Sequence, residues 1–370
     1  MRDNQFVDPN PAYWTGHTNL QRVKHDIIAA YLGGWFPILG SWAGRILYVD
    51  THAGRGRHAQ GELGSPLVAL TTLLHHATRD RILSRCEVRF VFLERDPDNA
   101  NALESELAEF MPLPAGIAVD RYADDYHSVL SEVLATLQGS GVPMAPSFIF
   151  VDPYGFKLPY PLLAQFMAFD AVELLVNVMW RHLDMALAQA QTVDGRARLL
   201  DFMFGCTDWR DIAALKDYDR RCSEVLSLIG RIIGAKWATS VHMLGSNDVT
   251  EYVLLHLTNH DAGRNLMKRV LWRVCPSFSG RFVARKADDP SQGVLLSVEP
   301  DLSALRTRIV DGLGQHPLRW RTLHAMVRGD IWLEAHVNRV VRQLLKEKRV
   351  VPSDYVGRCT PKSDPILTLR

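Results

Sequence analysis

The sequence lacks the features that identify secreted, membrane-spanning and zinc-binding proteins. Its five cysteines are scattered over 370 residues without a Cys-x-x-Cys pair or a Cys/His ligand spacing. Neither a disulfide framework nor a metal site is therefore predicted. No apolar run approaches the ~20 residues that span a bilayer, and the opening MRDNQFVDPN has no basic region followed by an apolar one. We expect a cytoplasmic protein with no membrane partner.

The chain as a whole has almost no net charge, but its last part is basic. The formal net charge is +1, whereas residues 303–350 carry ten Lys or Arg against four Asp or Glu. A basic segment of this kind attracts nucleic acid, although surface lysines and arginines commonly serve only solubility. Composition alone leaves both interpretations open.

The first half of the chain contains apolar runs that alternate with amphipathic stretches. Apolar residues at helical spacing predict a helix over 18–39. The predicted strands are 45–50, 88–94, 117–120, 147–152 and 172–179, with helices near 66–76, 98–110, 127–138 and 159–168. Because near-continuous apolar strands interleave with helices, we predict an α/β fold with a parallel sheet covered on both faces.

The second half predicts how this sheet ends. Segment 181–236 is helical and too long for a simple crossover, so we interpret it as an insertion. Residues 237–244 and 249–257 flank a turn and predict an antiparallel hairpin, followed by a helix over 263–273. A parallel sheet closed by a hairpin is the Rossmann-like outline of class I S-adenosylmethionine (SAM)-dependent methyltransferases. We assign 1–180 and 237–300 to this domain.

The remaining segment, 301–370, predicts a winged-helix-like domain. Three helices near 301–313, 319–328 and 332–347 precede a β-like piece at 349–356. The third helix carries four basic residues, Arg339, Arg342, Lys346 and Lys348. Winged helices bind nucleic acid or protein, and both alternatives stay open for Arg339 and Arg342.

A glycine-containing loop follows the first strand. It reads Asp50-Thr51-His52-Ala53-Gly54-Arg55-Gly56. Glycines there let the backbone turn sharply and approach a ligand, and no Gly-Lys-Ser/Thr follows as in an NTPase P-loop. The candidate cofactor-binding residues are Asp50, Ala53, Gly54 and Gly56. The alternative is a strand-to-helix turn that binds nothing.

Acidic residues follow the next two strands. Glu94 ends the second strand, where a carboxylate can accept hydrogen bonds from both ribose hydroxyls. Asp96 and Asn99 are interpreted as caps of the following helix. Asp125, after the third strand, either accepts a hydrogen bond from an adenine amino group or caps a helix.

The most specific feature is Asp152-Pro153-Tyr154-Gly155 at the end of the fourth strand. A carboxylate and a peptide carbonyl at this place can orient an exocyclic amine towards a sulfonium methyl group, with Tyr154 stacked on the base. Methyl transfer depends on such alignment more than on a strong base. We expect Asp152, Pro153 and Tyr154 at the reacting centre and Gly155 and Phe156 beside the substrate. The alternative is a β-turn with proline at its second position.

The chain resembles the three-Cys-motif partner protein (TcmP) family over most of its length. The resemblance rests on the segments YVDTHAGRGRHAQGELGSPLVAL, FIFVDPYGF, VELLVNVMWRHLD and NHDAGRNLMKRVLWRV. It implies a protein partner of the radical-SAM type that carries three cysteines. No three-cysteine motif occurs in this chain itself.

The N-terminal part also resembles the RlmJ-type rRNA adenine methyltransferases, through Lys24-His25 and the Asp-Thr-His-Ala-Gly loop. Those enzymes use Asp-Pro-Pro-Tyr, whereas Asp-Pro-Tyr-Gly is nearer the Asp-Pro-Phe-Gly of tRNA guanine-N2 methyltransferases, so adenine and guanine both stay open. The resemblance implies SAM as cofactor, with Glu94 at the ribose, Asp125 at the adenine and Asp152 at the acceptor. It implies the methionine side of SAM for Asp50, Ala53, Gly54 and Gly56. Lys24 would contact the cofactor carboxylate or substrate backbone, unless the Lys24-His25 pair is only solvated on its helix.

Two residues after the fifth strand allow a functional and a packing interpretation. Arg181 can contact a substrate phosphate, while Trp180 can simply pack in the core. Taken together, the sequence predicts a SAM-dependent methyltransferase acting on an exocyclic amine of an RNA or DNA base. The alternative is a non-catalytic module of the same fold that binds a radical-SAM protein or DNA. A small-molecule or protein methyltransferase is a third option.

Overall fold

A capped helix leads into the sheet, as predicted. The computed structural model describes residues 18–141, 143–275, 281–286, 300–355, 357 and 359–370. Helix α1 (Asn19–Leu39) begins with a capping box: the Thr18 hydroxyl accepts from Gln21 N at 3.2 Å, and the Gln21 side chain accepts from Thr18 N at 2.8 Å. This reciprocal pair satisfies backbone donors that a helix end leaves free.

The five predicted strands are all present and parallel. They are β1 (Arg45–Asp50), β2 (Glu87–Leu93), β3 (Ile117–Tyr122), β4 (Ser147–Val151) and β5 (Val172–Val178). The helices between them are α2 (Ser65–Leu74), α3 (Arg79–Leu83), α4 (Pro97–Ala108), α5 (Tyr126–Ser140) and α6 (Tyr160–Met167). Parallel strands need such crossovers, and their carboxyl ends therefore share one edge of the sheet.

An antiparallel hairpin closes the sheet. Strands β6 (Trp237–Leu244) and β7 (Thr250–Thr258) pair with each other, and β7 lies antiparallel beside β5. The strand order is β3-β2-β1-β4-β5-β7-β6-β8, in which β8 (Phe282–Arg285) runs parallel to β6 and was not predicted. The predicted α/β arrangement, a parallel sheet followed by an antiparallel hairpin, is confirmed.

Helices cover both faces of this sheet. Alternate strand residues point to opposite faces, so Phe148 and Phe150 join one core and Ile149 and Val151 join the other. The first core lies under α1, α2 and α11 (Asp261–Val274). The second lies under the segment between β5 and β6, which forms α7 (Trp180–Gln189), α8 (Asp194–Phe204), α9 (Trp209–Ala213) and α10 (Tyr218–Ile233).

The C-terminal segment has an apolar core of its own. Its elements are α12 (Ser303–Gln315), β9 (Leu318–Arg319), α13 (Trp320–Met326), α14 (Glu334–Lys346), β10 (Val350–Pro352) and β11 (Ile366–Leu369). The three short strands form an antiparallel sheet in the order β10-β11-β9. The three helices lie where they were predicted, while the winged-helix assignment stays a prediction. Within the ranges given above, no helix combines the length and apolarity needed to cross a membrane.

Candidate functional site

Two adjoining cavities lie at the carboxyl ends of the parallel strands. The Lys24 cavity, about 660 Å³, is lined by Lys24, Ala53, Gly54, Asp152 and Asn177 among others. The Glu94 cavity, about 700 Å³, is lined by Glu94, Arg95, Asp125 and Tyr126 among others. Both linings contain His52, Pro153 and Tyr154, which form the boundary between them. Ligands of open α/β sheets bind at this edge.

The glycine loop is tied to the end of β2 through Glu94. Gly54 N donates to Glu94 Oε2 at 2.8 Å, and Asp96 N donates to Glu94 Oε1 at 2.8 Å. Burial raises the pKa of Glu94 despite these hydrogen bonds. The Arg95 backbone also donates to this carboxylate, and because a carboxylate has about four lone-pair sites, Glu94 can still accept a hydrogen bond from a ligand in the Glu94 cavity.

Asp50 supports the same loop from beneath. Its Oδ1 accepts from His52 N at 3.2 Å, and its Oδ2 accepts from the Tyr48 hydroxyl at 3.4 Å. Asp50 is fully buried, and burial raises its pKa to about 7. It lines neither cavity, so the structure gives it a supporting position rather than the predicted ligand contact.

Gly56 closes the loop instead of lining a cavity. Its carbonyl accepts from Gly64 N at 2.7 Å, just before α2. Its φ of 84° lies in the left-handed region that glycine tolerates, and an added Cβ would lie 3.0 Å from Leu103 Cδ1. Of the predicted methionine-side residues, Ala53 and Gly54 are thus the two that line the Lys24 cavity.

Asp152 is held on both sides by polar side chains. Lys24 Nζ lies 2.5 Å from Asp152 Oδ2, and Asn177 Nδ2 donates to Asp152 Oδ1 at 2.5 Å. Burial would raise the pKa of Asp152, but the Lys24 charge and the two hydrogen bonds outweigh it and hold the pKa below its usual value. Asp152 is therefore an ionised hydrogen-bond acceptor in the wall of the Lys24 cavity.

Asn177 was not predicted, and its amide oxygen is the unusual atom of the site. Asn177 Oδ1 is buried and has no hydrogen-bond donor among the residues described. Leaving a buried acceptor unpaired costs about 1–3 kcal/mol. Asn177 lines the Lys24 cavity beside Asp152, and a ligand bound there could offset that cost by donating to the amide oxygen.

Neutral aromatic rings stand between the two cavities. The His52 and Tyr126 ring centroids are 4.6 Å apart. Burial lowers the pKa of His52 to about 4, so its imidazole is uncharged at neutral pH. Tyr154 is 37% exposed beside them. This arrangement offers flat, uncharged surfaces to a planar ligand.

Asp125 and Asp96 cap helices, as one of their interpretations predicted. Asp125 Oδ1 accepts from His127 N at 3.0 Å at the start of α5, and Asp125 also lines the Glu94 cavity. Asp96 accepts from Asp98 N at 3.0 Å and Asn99 N at 2.9 Å at the start of α4. Asn99 is a residue of the first turn rather than a cap, so that half of the prediction is wrong.

The remaining predicted site residues divide into those at the cleft and those away from it. Gly155 lines the Lys24 cavity, whereas Phe156 packs on the second core with the Arg196 guanidinium 6.0 Å from its ring centroid. Arg181 is exposed on α7 and lines neither cavity; its neighbour His182 does. Phe156 and Arg181 thus lie outside the two cavity linings, and their predicted substrate contacts stay predictions.

Two other predictions concern residues outside the cleft. Trp180 is fully buried and packs edge-on against Tyr218 at 5.6 Å between centroids, which confirms the packing alternative. Arg339 and Arg342 are exposed on α14, and neither lines the two cavities. Within the described ranges, no group of three or more His, Cys, Asp or Glu side chains is placed to hold a metal ion.

No protein-family model matches the sequence, and neither does any curated protein. Solved structures share part of its architecture. They include StiE O-MT residues 942-1257, at 8% identity over 62% of this chain and 74% of that one, with a TM-score of 0.23. A geranyl diphosphate methyltransferase in complex with GPP and sinefungin is 10% identical over 61% and 78%, TM-score 0.24. The cyclopropane synthase MmaA2 from Mycobacterium tuberculosis is 11% identical over 60% and 82%, TM-score 0.22.

The chemistry available to the chain depends on the side chains that line its cleft. That cleft contains an acidic strand end tied to a glycine loop, and an ionised carboxylate held between an ammonium and an amide.

Proposed function

We propose that this chain is a SAM-dependent methyltransferase that acts on an exocyclic amine of a nucleic-acid base. SAM would occupy both cavities, with its ribose hydroxyls donating to Glu94 and its adenine near Asp125 and Tyr126. Its methionine part would lie along Ala53 and Gly54. The support for this placement is the cavity linings and the spare lone pairs of Glu94.

The observation that carries the proposal is the pair of acceptors, Asp152 and Asn177. The acceptor amine would donate one N–H to Asp152 and the other to Asn177 Oδ1, which leaves its lone pair directed at the sulfonium methyl carbon. SAM would supply the methyl group, with a C–N bond replacing the C–S bond and S-adenosylhomocysteine leaving, and the methylated amine would give its proton to Asp152 or to water. Both contacts align the nucleophile, which is the main requirement of this reaction.

Planar rings favour a base as the substrate. Tyr154 and His52 line the same cavity as Asp152 and Asn177, where the amine would lie, and aromatic side chains stack on flat ligands. The exposed basic residues of α14 favour a nucleic acid over a free base. The non-catalytic alternative and the radical-SAM partner implied by the TcmP resemblance stay predictions.

Labelling with methyl-tritiated SAM tests the proposal. Total RNA and DNA from cells lacking the protein are incubated with the wild type and with Asp152→Asn, and the nucleosides are identified by mass spectrometry. We expect one labelled base and a loss of at least about 100-fold in rate with Asp152→Asn, comparable to removing one group that stabilises a transition state. Binding of the SAM analogue sinefungin, measured by calorimetry, should change little.

The outcomes separate the alternatives. A folded wild type that fails to bind SAM or sinefungin would contradict the enzyme and favour the non-catalytic module. Binding without label in any nucleic-acid pool would contradict the nucleic-acid substrate. Repetition in the presence of a radical-SAM protein of the kind that the TcmP resemblance implies checks whether a partner is required for either result.

A further inference from the structure

A third cavity lies at the opposite edge of the sheet from the proposed active site. It measures about 440 Å³ and lies between α1 and α11, beside the residues that precede β4 and β5. Its wall is mainly apolar and includes Trp35, Leu39 and Leu266, with Trp42 at 64% exposure on its rim. A cavity of this size and lining is in the range that binds small molecules.

One buried carboxylate interrupts the apolar wall. Glu173, the second residue of β5, is 5% exposed and lines the cavity. Its Oε2 accepts from the Tyr31 hydroxyl and pairs with His256 Nε2 at 3.0 Å. Both of these hydrogen bonds are to Oε2, and among the described residues none is found to Oε1. Burial would raise the pKa of Glu173, but the contacts with His256 and Tyr31 hold it below its usual value.

The helix opposite Glu173 carries a glycine at the point of closest approach. A Cβ at Gly263 of α11 would collide with the Glu173 carboxylate. The absence of a side chain therefore allows the carboxylate to remain in the cavity wall. Burying an ionised group costs several kcal/mol per ion. A cation bound in the cavity would offset part of this cost for the Glu173 carboxylate.

Trp35 has an unused donor beside the same cavity. Its side chain is 1% exposed and lines the cavity, and its Nε1–H has no acceptor among the described residues. Among the described residues, the lining contains a second acidic residue, Asp170, and a histidine, His260, but no lysine or arginine. The wall thus combines apolar surface with acidic side chains, and the Trp35 N–H lies beside it.

We propose that this cavity binds a small amine with an apolar body. The ammonium group of the ligand pairs with Glu173, since charge-assisted hydrogen bonds are the strong ones in a water-poor site. The apolar body packs on Trp35, Leu266 and the exposed Trp42. An oxygen on the ligand accepts from Trp35 Nε1. The site lies across the sheet from Asp152 and is independent of the methyltransferase proposal.

Calorimetry on the full chain tests this site with three matched probes. 2-Phenylethylamine supplies the ammonium and the apolar body, tyramine adds a phenolic oxygen, and 2-phenylethanol has neither charge nor amine. We expect saturable binding of 2-phenylethylamine, tighter binding of tyramine, and at least about tenfold weaker binding of 2-phenylethanol, which corresponds to about 1.4 kcal/mol.

Variants tie the binding to the cavity. Glu173→Gln should weaken 2-phenylethylamine binding at least about tenfold, while Glu87→Gln, at the partly exposed start of β2 and outside the cavity lining, should not change it. Trp42→Ala at the rim tests the cavity without altering a buried residue and should weaken binding several-fold. Binding of sinefungin should be the same in all variants, which also checks folding. No saturable binding of either amine, or equal binding by wild type, Glu173→Gln and Trp42→Ala, would overturn the proposal.

Discussion

Lys24 and Asp152 form an ion pair that joins α1 to the loop after β4, with 2.5 Å between Nζ and Oδ2. The two side chains are only 4% and 16% exposed. Removing one partner of a buried pair leaves the other charge uncompensated and costs about 3–5 kcal/mol. We expect Lys24→Met to lower the free energy of unfolding by about 3 kcal/mol, measured by urea denaturation.

A double-mutant cycle isolates the pair. Lys24→Met with Asp152→Asn should recover part of the loss, because neither charge then remains buried alone. Arg45→Met removes a cation from an exposed pair with Glu87, and should cost less than about 1 kcal/mol. Equal costs for Lys24→Met and Arg45→Met would contradict the burial argument.

Gly56→Ala should destabilise the glycine loop more than Gly61→Ala does. Both glycines have positive φ, 84° and 97°, so each substitution introduces backbone strain of about 1–2 kcal/mol. Only at Gly56 would the new Cβ also lie 3.0 Å from Leu103 Cδ1; at Gly61 nothing lies within 4 Å. Thermal denaturation of both variants measures the difference. A larger loss for Gly61→Ala would contradict the role assigned to the Leu103 contact.

Asp50 should make the protein less stable as the pH rises from about 4 to about 7. Its pKa is raised in the folded state, so in this window the unfolded chain releases a proton that the folded chain keeps. A shift from 3.8 to about 7 corresponds to at most about 4 kcal/mol. Asp50→Asn should abolish this slope in urea titrations across the window. An unchanged slope would assign the pH dependence to other groups.

The extent to which the sequence predicts the site depends on how far apart the interacting residues lie. Glu94 and Asp152 were identified because each ends an apolar strand, and parallel strands end at one edge. The contact between Asn177 and Asp152 depends on how β4 pairs with β5. A polar residue within the apolar run VELLVNVM was the one available signal.

Predicted contacts that the structure does not show, and elements that were not predicted, have similar physical causes. Arg181 is only one residue beyond buried Trp180, yet on α7 it is exposed while His182 lines the cavity, because helical geometry directs neighbouring side chains differently. Strands β8, β9 and β11 are too short to produce a periodic pattern. Glu173 would be taken for a solvated residue from sequence alone, since glutamate is rarely buried.

Glu94→Ala should weaken sinefungin binding about tenfold or more. The substitution removes the predicted ribose acceptor and releases Gly54 N and Asp96 N, and a charged hydrogen bond contributes about 1.5–3 kcal/mol. Glu94→Gln keeps one acceptor oxygen and should lose less. Asp98→Ala on exposed α4 surface is the control. Calorimetry with all three variants measures the order, and equal affinity for wild type and Glu94→Ala would remove the ribose assignment.

Arg342 and Lys346 should contribute to nucleic-acid binding through phosphates. Both are exposed on α14. Removing one side chain that binds a phosphate should weaken binding for all sequences and reduce the slope of log K against log salt by about 1. Arg342→Ala with Lys346→Ala should therefore reduce the slope by about 2.

Arg45→Ala makes the same kind of charge change at the exposed start of β1 and should leave the slope unchanged. Fluorescence anisotropy with a labelled RNA duplex and DNA duplex over a salt series measures both. If the double variant retains the wild-type slope, α14 does not contact phosphate, and its basic surface is then available for the protein partner that the winged-helix interpretation also allows.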